Sequence, residues 1–491
     1  MQTLYKTHEA SSFFTVKENE ELNLVPDSHS TARAHIEIVL DKSGTLLRAS
    51  VVDKNDATTM IPCTEASATR TGARPVPHPL CDSLQYLAAD FRKYGGVVTS
   101  GFAGDEDEPR ASYLAQLRKW VAASPHPKTT AILNYLDRGA LIEDLVKKGV
   151  LPLNAEGKIA AKKTSNTAMH PLWAAFSTDQ SAGKAVVRWR VEIPGNLASG
   201  VWEDQSLLDN WAAYYPSTIE AKGLCMVNGG EVALASLHPA KLRHAGDKAK
   251  LISSNDSSGF TFRGHFTDSA GTQACGVGYE VSQKAHGALR RLIARQGYRN
   301  DTQVFVCWAV SGKPTPSVLE GSSDWLDEPV LPAEGDKQEQ AGPDHTRDIG
   351  QSFALRLNKF IAGYSAVLDP TEAIVVMGLD SATPGRMSVI YYRELLGSEF
   401  LARLKKWHED MAWPQIVSAK QTEKSRQRRA PVDMWRACAP APKAVAEAAY
   451  GRRLDIKLKK ATVERLVPCI VEGRDLPADL VESCVRRAAN R

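Results

Sequence analysis

Apolar and polar positions change period several times along the chain, and each change marks an element. Ala34–Leu40 (AHIEIVL) alternates, with Ile36, Ile38 and Leu40 on one face, which predicts a half-buried strand. Asp41-Lys42-Ser43-Gly44 supplies turn chemistry, and Thr45–Val52 returns as a second strand. Leu80–Phe91, after the proline-rich stretch Pro75–Pro79, predicts a short helix. Gly95, Gly96, Gly101 and Gly104, followed by Asp105-Glu106-Asp107-Glu108, mark a solvated loop. Helical spacing governs Tyr113–Ala122 and Thr129–Lys148, the latter closing on Lys147-Lys148-Gly149 as a helix C-terminus prefers. Alternation resumes at Val187, Trp189, Val191 and Ile193, interleaved with Arg188, Arg190 and Glu192 as a polar face. Trp202–Tyr215 reads as helix, and the continuous apolar run Gln303–Val310 as a buried strand. Ala373–Leu379 and Met387–Tyr392 read as strands around a turn at Thr383-Pro384-Gly385. Phe400, Leu404 and Trp407 put one apolar face on a helix, and the chain is helical again from Thr462.

Separated strand pairs and helix runs do not make a regular βαβ alternation, so the expected class is α+β with several domains. The pattern divides into a strand-rich module over 1–110, a helical segment over 111–180, a mixed region over 181–320, an acidic stretch over 321–350 and a mixed, basic region over 351–491. From Glu320 to Asp348 nine acidic residues stand against Lys337 and Arg347, which predicts a linker or mobile loop.

Bulk composition narrows the class only a little. The chain of 491 residues is 43% hydrophobic and 24% charged, ordinary for a globular protein. A net charge of +4 does not by itself announce a polyanion partner, so local clustering has to carry that argument. No apolar run reaches the roughly 20 residues that span a bilayer, and MQTLYKTHEASSFF is not a secretory signal, so a cytoplasmic protein without a membrane partner is expected. Eight cysteines lack any CxxC pairing, which predicts reduced thiols, with Cys307 in a core, and no metal site or cofactor.

The densest local chemistry lies between Lys248 and Arg299. In SQKAHGALRRLIAR, Ala285, Ala288, Leu289, Leu292 and Ile293 form a buried stripe, and Lys284, Arg290, Arg291 and Arg295 fall opposite it. Ser282 is the expected N-cap. No acid occurs from Val281 to Asn300 to pair with these cations. Upstream, Lys241, Arg243, Lys248 and Lys250 add charge, and Ser253, Ser254, Asn255, Thr261 and Arg263 carry groups that bond phosphates or base edges. Two readings stay open: a solvated helix face behind an Asx/Ser turn, or a polyanion site.

Enzyme signatures are missing. GxxxxGK[ST], HExxH, GxSxG and GxGxxG do not occur, and His238, His244, His265 and His286 lack companion carboxylates at metal-site spacing.

Eight ordered blocks then point to a family: PHPLCDSLQYLAADFRKYG, VRWRVE, LHPAKLR, DKAKLISSNDSSGFTFRGHF, GYEVSQKAHGALRRLIARQG, VFVCWAV, GLDSATPGRMSVIYYREL and RLVPCIVEGRDLPADLV. In these blocks the chain resembles the large subunit of the type I-C CRISPR Cascade complex. The resemblance implies a subunit without catalytic activity that sits near the 5′ handle of the crRNA. It implies contact with the crRNA-processing subunit, the backbone filament and the small subunits. It also implies recognition of the PAM in target double-stranded DNA, help in strand separation that starts an R-loop, and a docking surface for a helicase–nuclease. The family continues past VRRAAN into a helical region resembling the small subunit, which can also be made separately. This chain stops at Arg491, at that junction, so a truncated or a naturally short large subunit is the expectation.

Within that frame, chemistry ranks the candidates. Asn255 and Lys250 lead as PAM readers, followed by Thr261 and Arg263, with Lys248, Ser253 and Ser254 beside them. Phe260 or Phe262 suits an apolar wedge, although alternating aromatics in FTFRGHF also suit a strand core. Lys241, Arg243, Lys284, Arg290, Arg291 and Arg295 are phosphate candidates, and Arg426, Arg428 and Arg429 are candidates for guiding a single strand. The rival reading is a metal-dependent nuclease acting on the bound DNA.

Overall fold

The computed structural model describes residues 1–10, 25–70, 74–99, 107–161, 170–176, 181–244, 246–252, 276–326, 349–383, 385–418 and 433–490. It is a mixed α+β protein, as the pattern predicts. The chain forms two compact units, Asn23–Ala240 with Ile252–Gly287, and Met1–Leu22 with Lys241–Leu251 and Ala288–Arg491. These lines differ from the five-part division by sequence, because strand pairing joins segments far apart in the chain.

In the first unit, β1 (His29–Arg33) pairs antiparallel with β4 (Thr58–Pro62). Strand β2 (Ile36–Asp41) pairs antiparallel with β3 (Leu46–Val51) and parallel with β5 (Val187–Glu192). The short strands β6 (Lys222–Leu224) and β7 (Glu231–Ala233) form a hairpin. The β2–β5 pairing makes the helical segment part of one core rather than a separate domain. Ile36, Ile38 and Leu40 are buried, as their alternation predicts, against Tyr135, Trp189 and the helices Glu108–Ala123 and Pro127–Asp137. The turn after β2 is fixed by the Asp41 carboxylate, which accepts from the Ser43 and Thr45 N–H groups at 2.8 Å. Gly44 adopts φ +89° there, in the left-handed region.

Three expectations in this unit need correction. Residues 80–91 form only one helical turn, Leu84–Leu87. The preceding chain is held out of the helix because buried Asp82 accepts from His78 N–H at 2.7 Å and from the Arg70 fork, while Ser83 bridges to Val186. The single helix expected over 129–148 is two, Pro127–Asp137 and Leu141–Lys147. Gly139 at φ +72° ends the first, and the Asp90 carboxylate takes the Ile142 and Glu143 N–H groups at 3.0 and 2.9 Å to start the second. Arg188 does not lie on a solvated face. It is 3% exposed, bonded to Glu37 at 2.9 Å and Asp56 at 2.6 Å, with its guanidinium 4.2 Å from the Trp202 ring centre.

The second unit is built on a four-stranded antiparallel sheet. Its strands are β8 (Tyr298–Asn300), β9 (Gln303–Ala309), β10 (Ala373–Thr383) and β11 (Arg386–Leu396), in the order β11-β10-β9-β8. Strand β9 is buried along its whole length, as its unbroken apolar run predicts. The helix Gly397–Asp410 buries Phe400, Leu404 and Trp407 in the same core. A second ribbon pairs β12 (Trp413–Ser418) with β13 (Asp433–Cys438). The helices Gln2–Glu9, Ile349–Val367, Pro442–Tyr450, Ile456–Glu472 and Ala478–Ala489 also belong to the unit. The acidic stretch is not linker from its start. Ser322–Leu326 is helical, and Trp325 is 2% exposed, stacked on Phe360 at 4.7 Å and set against His408 at 3.8 Å.

No helix of the described residues is long and apolar enough to cross a membrane.

Candidate nucleic-acid interface

The basic helix runs from Tyr279 to Gln296. Ala285, Ala288, Leu289, Leu292 and Ile293 are each at most 2% exposed, so the apolar stripe is where the spacing puts it. Its start is not. Ser282 is not the N-cap but lies inside the helix, fully buried. Its Oγ is 2.8 Å from His238 Nδ1, and its carbonyl is 2.7 Å from His286 Nδ1. Because the helix begins three residues earlier, it includes Glu280, whose carboxylate pairs with Lys284 at 2.6 Å. Lys284 is therefore a partnered, mostly covered cation, one turn from an acid just outside the window that looked free of acids.

In the second unit, Lys241–Leu251 is held by one carboxylate. Lys241 takes a left-handed φ of 60° and its N–H donates to the Asp247 carbonyl at 2.9 Å. Arg243 Nε and Nη2 each donate to Asp247 at 2.9 Å, and Arg243 Nη1 donates to the Thr302 carbonyl at 2.6 Å. The Ala249 N–H also donates to Asp247, at 3.1 Å. Arg243 is 8% and Asp247 4% exposed. Burial by itself would raise the Asp247 pKa, but the hydrogen bonds from Arg243 and the Ala249 N–H hold it below the usual carboxylate range. The Arg243 donors are thus spent inside the protein, which gives it an anchoring rather than a phosphate-binding geometry.

What that anchor positions is the chain leading to residue 253. Lys248 is exposed and Lys250 half-buried. The Lys250 main chain forms a parallel bridge beside Arg386, donating to the Gly385 carbonyl at 3.2 Å and accepting from the Met387 N–H at 3.0 Å. Exposed Arg386 is thereby brought to Lys250 at the tip of the β10–β11 hairpin. Sequence reasoning missed Arg386, and its signal was a cation placed directly after the turn glycine. Behind the hairpin, Asp380 accepts from Thr302 Oγ1 at 2.6 Å and pairs with Lys460 at 2.8 Å.

The helix contributes to the same unit from Ala288 onward. Arg290 Nε donates to the Lys241 carbonyl at 3.1 Å, so this guanidinium supports the anchored segment. Arg291 is half-buried and Arg295 exposed. Burial and then the neighbouring Arg295 charge lower the Arg291 pKa. The candidates Ser253, Ser254, Asn255, Phe260, Thr261, Phe262, Arg263, Arg426, Arg428 and Arg429 lie outside the described residues, as does His265. Among the described residues, no group of three or more His, Cys, Asp or Glu side chains is placed to hold a metal ion.

A family model described as CRISPR-associated protein (Cas_Csd1) matches residues 8–491. The chain therefore belongs to the Cas_Csd1 family of CRISPR-associated proteins. No curated protein matches it.

Proposed function

We propose that this chain is the non-catalytic large subunit of a type I-C Cascade complex. It binds crRNA together with the processing, backbone and small subunits, reads the PAM in double-stranded target DNA, helps to open the duplex and offers a surface to a helicase–nuclease. The observation that carries this reading is the family match over nearly the whole chain. The anchored Lys241–Leu251 segment supports it, because a buried Arg–Asp fork holds the segment that carries exposed Lys248, which precedes SSNDSSGF in the sequence. Such an arrangement fits protein readout of a short duplex motif while guide pairing reads the rest.

The test uses the assembled complex on labelled duplexes with and without a PAM. Asn255→Ala and Lys250→Ala are expected to blur discrimination at individual PAM positions, each by roughly 1–3 kcal/mol. Lys248→Gln is expected to weaken all targets alike and to reduce the salt slope by about one unit. Equal binding with and without a PAM refutes the readout. DNA cleavage with a divalent metal that is abolished by one carboxylate substitution refutes the non-catalytic assignment.

A further inference from the structure

Trp413 is the one fully described tryptophan that is exposed, at 73%, whereas Trp120, Trp189, Trp211, Trp308, Trp325 and Trp407 are buried. An indole in water forfeits a large burial gain, so its position needs a reason. It opens β12, two residues after the turn that follows the helix Gly397–Asp410 and just before Pro414. Its backbone is fixed in six-pair register with β13, where Trp413 faces Cys438 and Gln415 faces Arg436. The Gln415 side chain donates to the Cys438 carbonyl, which locks the base of the ribbon. Alternation puts Trp413 and Gln415 on one face of the ribbon, and Arg436 is cross-strand from Gln415 on that face. The surrounding sequence is strongly basic, with twelve Lys/Arg against four Asp/Glu from Lys420 to Lys460.

An exposed aromatic on a paired ribbon, diagonal in register to an arginine and in a stretch of sequence rich in Lys and Arg, is the chemistry of a base-stacking platform. We propose that Trp413 stacks an unpaired base of single-stranded nucleic acid, with Arg436 beside it. The basic sequence on either side of the ribbon favours a polyanionic strand over an apolar protein pocket as the occupant. The proposal rests on the nucleic-acid role above, but it needs no PAM, so the two readings fail separately.

The experiment is tryptophan emission and binding of the full-length chain with a labelled oligo(dT) strand. Oligo(dT) is expected to quench the wild-type emission. Trp413→Leu is expected to abolish that quench and to weaken binding by about 5- to 100-fold with an unchanged salt slope, because a stacking contact and not a phosphate contact is lost. Trp413→Phe keeps a ring and is expected to fall between the two. No quench of the wild type, or wild-type affinity in Trp413→Leu, overturns the proposal. So does a Trp413→Leu chain that binds oligo(dT) normally but no longer co-assembles with its partner subunits, which would make this face a protein contact.

Discussion

Replacing Arg243 by Gln separates an anchoring cation from a phosphate-binding one. Three guanidinium donors are lost, two of them from a carboxylate that is itself 4% exposed and one from the Thr302 carbonyl. Asp247 would then be a buried charge kept only by main-chain donors. Breaking a buried pair by removing one partner costs about 3–5 kcal/mol, mostly through the charge left behind. Denaturant unfolding of Arg243→Gln at neutral pH is expected to show a loss in that range. Acid supplies a second signature, and its sign follows from Asp247. Its folded pKa is depressed, so the pair contributes fully above the ordinary carboxylate range and loses its contribution as pH falls through it. In the variant the unpaired carboxyl is easier to protonate, so the gap between wild type and variant narrows on acidification. Arg243→Gln with Asp247→Asn removes both charges and is expected to recover part of the loss. The salt slope of DNA binding by folded Arg243→Gln stays at the wild-type value. Wild-type stability together with a slope reduced by about one unit would refute the anchor and return Arg243 to the phosphate-binding candidates.

Other sites give equally direct expectations. His408 is fully buried, neither ring nitrogen has a hydrogen-bond partner among the described residues, and burial lowers its pKa to about 3. Its neutral form is favoured in the fold, so stability falls as pH drops below the ordinary histidine value. His408→Leu is expected to remove about 2 kcal/mol of the loss between pH 7.5 and 5, and an unchanged pH profile in urea melts would sink this. Gly44→Ala drives a Cβ into the Ala131 carbonyl oxygen at φ +89°, and is expected to destabilise by about 1–3 kcal/mol in thermal unfolding. Lys128 is fully buried, with Nζ 2.6 Å from Asp204. Lys128→Met is expected to cost about 3–5 kcal/mol, and a variant that melts like wild type contradicts the pairing.

Local periodicity makes much of this architecture legible in the sequence. The β2–β3 hairpin, the buried β9 run, the β10–β11 turn and the apolar stripe of the Tyr279–Gln296 helix depend on neighbours within a few residues, and sequence spacing encodes such neighbours. The parallel pairing of β2 with β5 is not legible, because nothing in either strand names a partner about 150 residues away. Element ends also slip where a side chain from elsewhere intervenes, as Asp90 does in capping the helix that starts at Leu141.

The candidate site shows the same limit in electrostatic form. A cation in a sequence counts as a positive charge whether or not the fold has already neutralised it. Arg188 sits on the polar face of an alternating strand, yet Glu37, its register partner on the parallel strand, consumes it. Lys284 looks unpaired when the window begins one residue after Glu280. Arg243 has its acid four residues on, at a readable spacing, but in a loop rather than a helix. Cations that already bond a buried carboxylate must break that bond to reach a phosphate, at a cost comparable with what the new contact returns. The proposed polyanion binding therefore falls to cations that stay exposed in the fold, Lys248 among them, and the inward-bonded ones set where those groups stand.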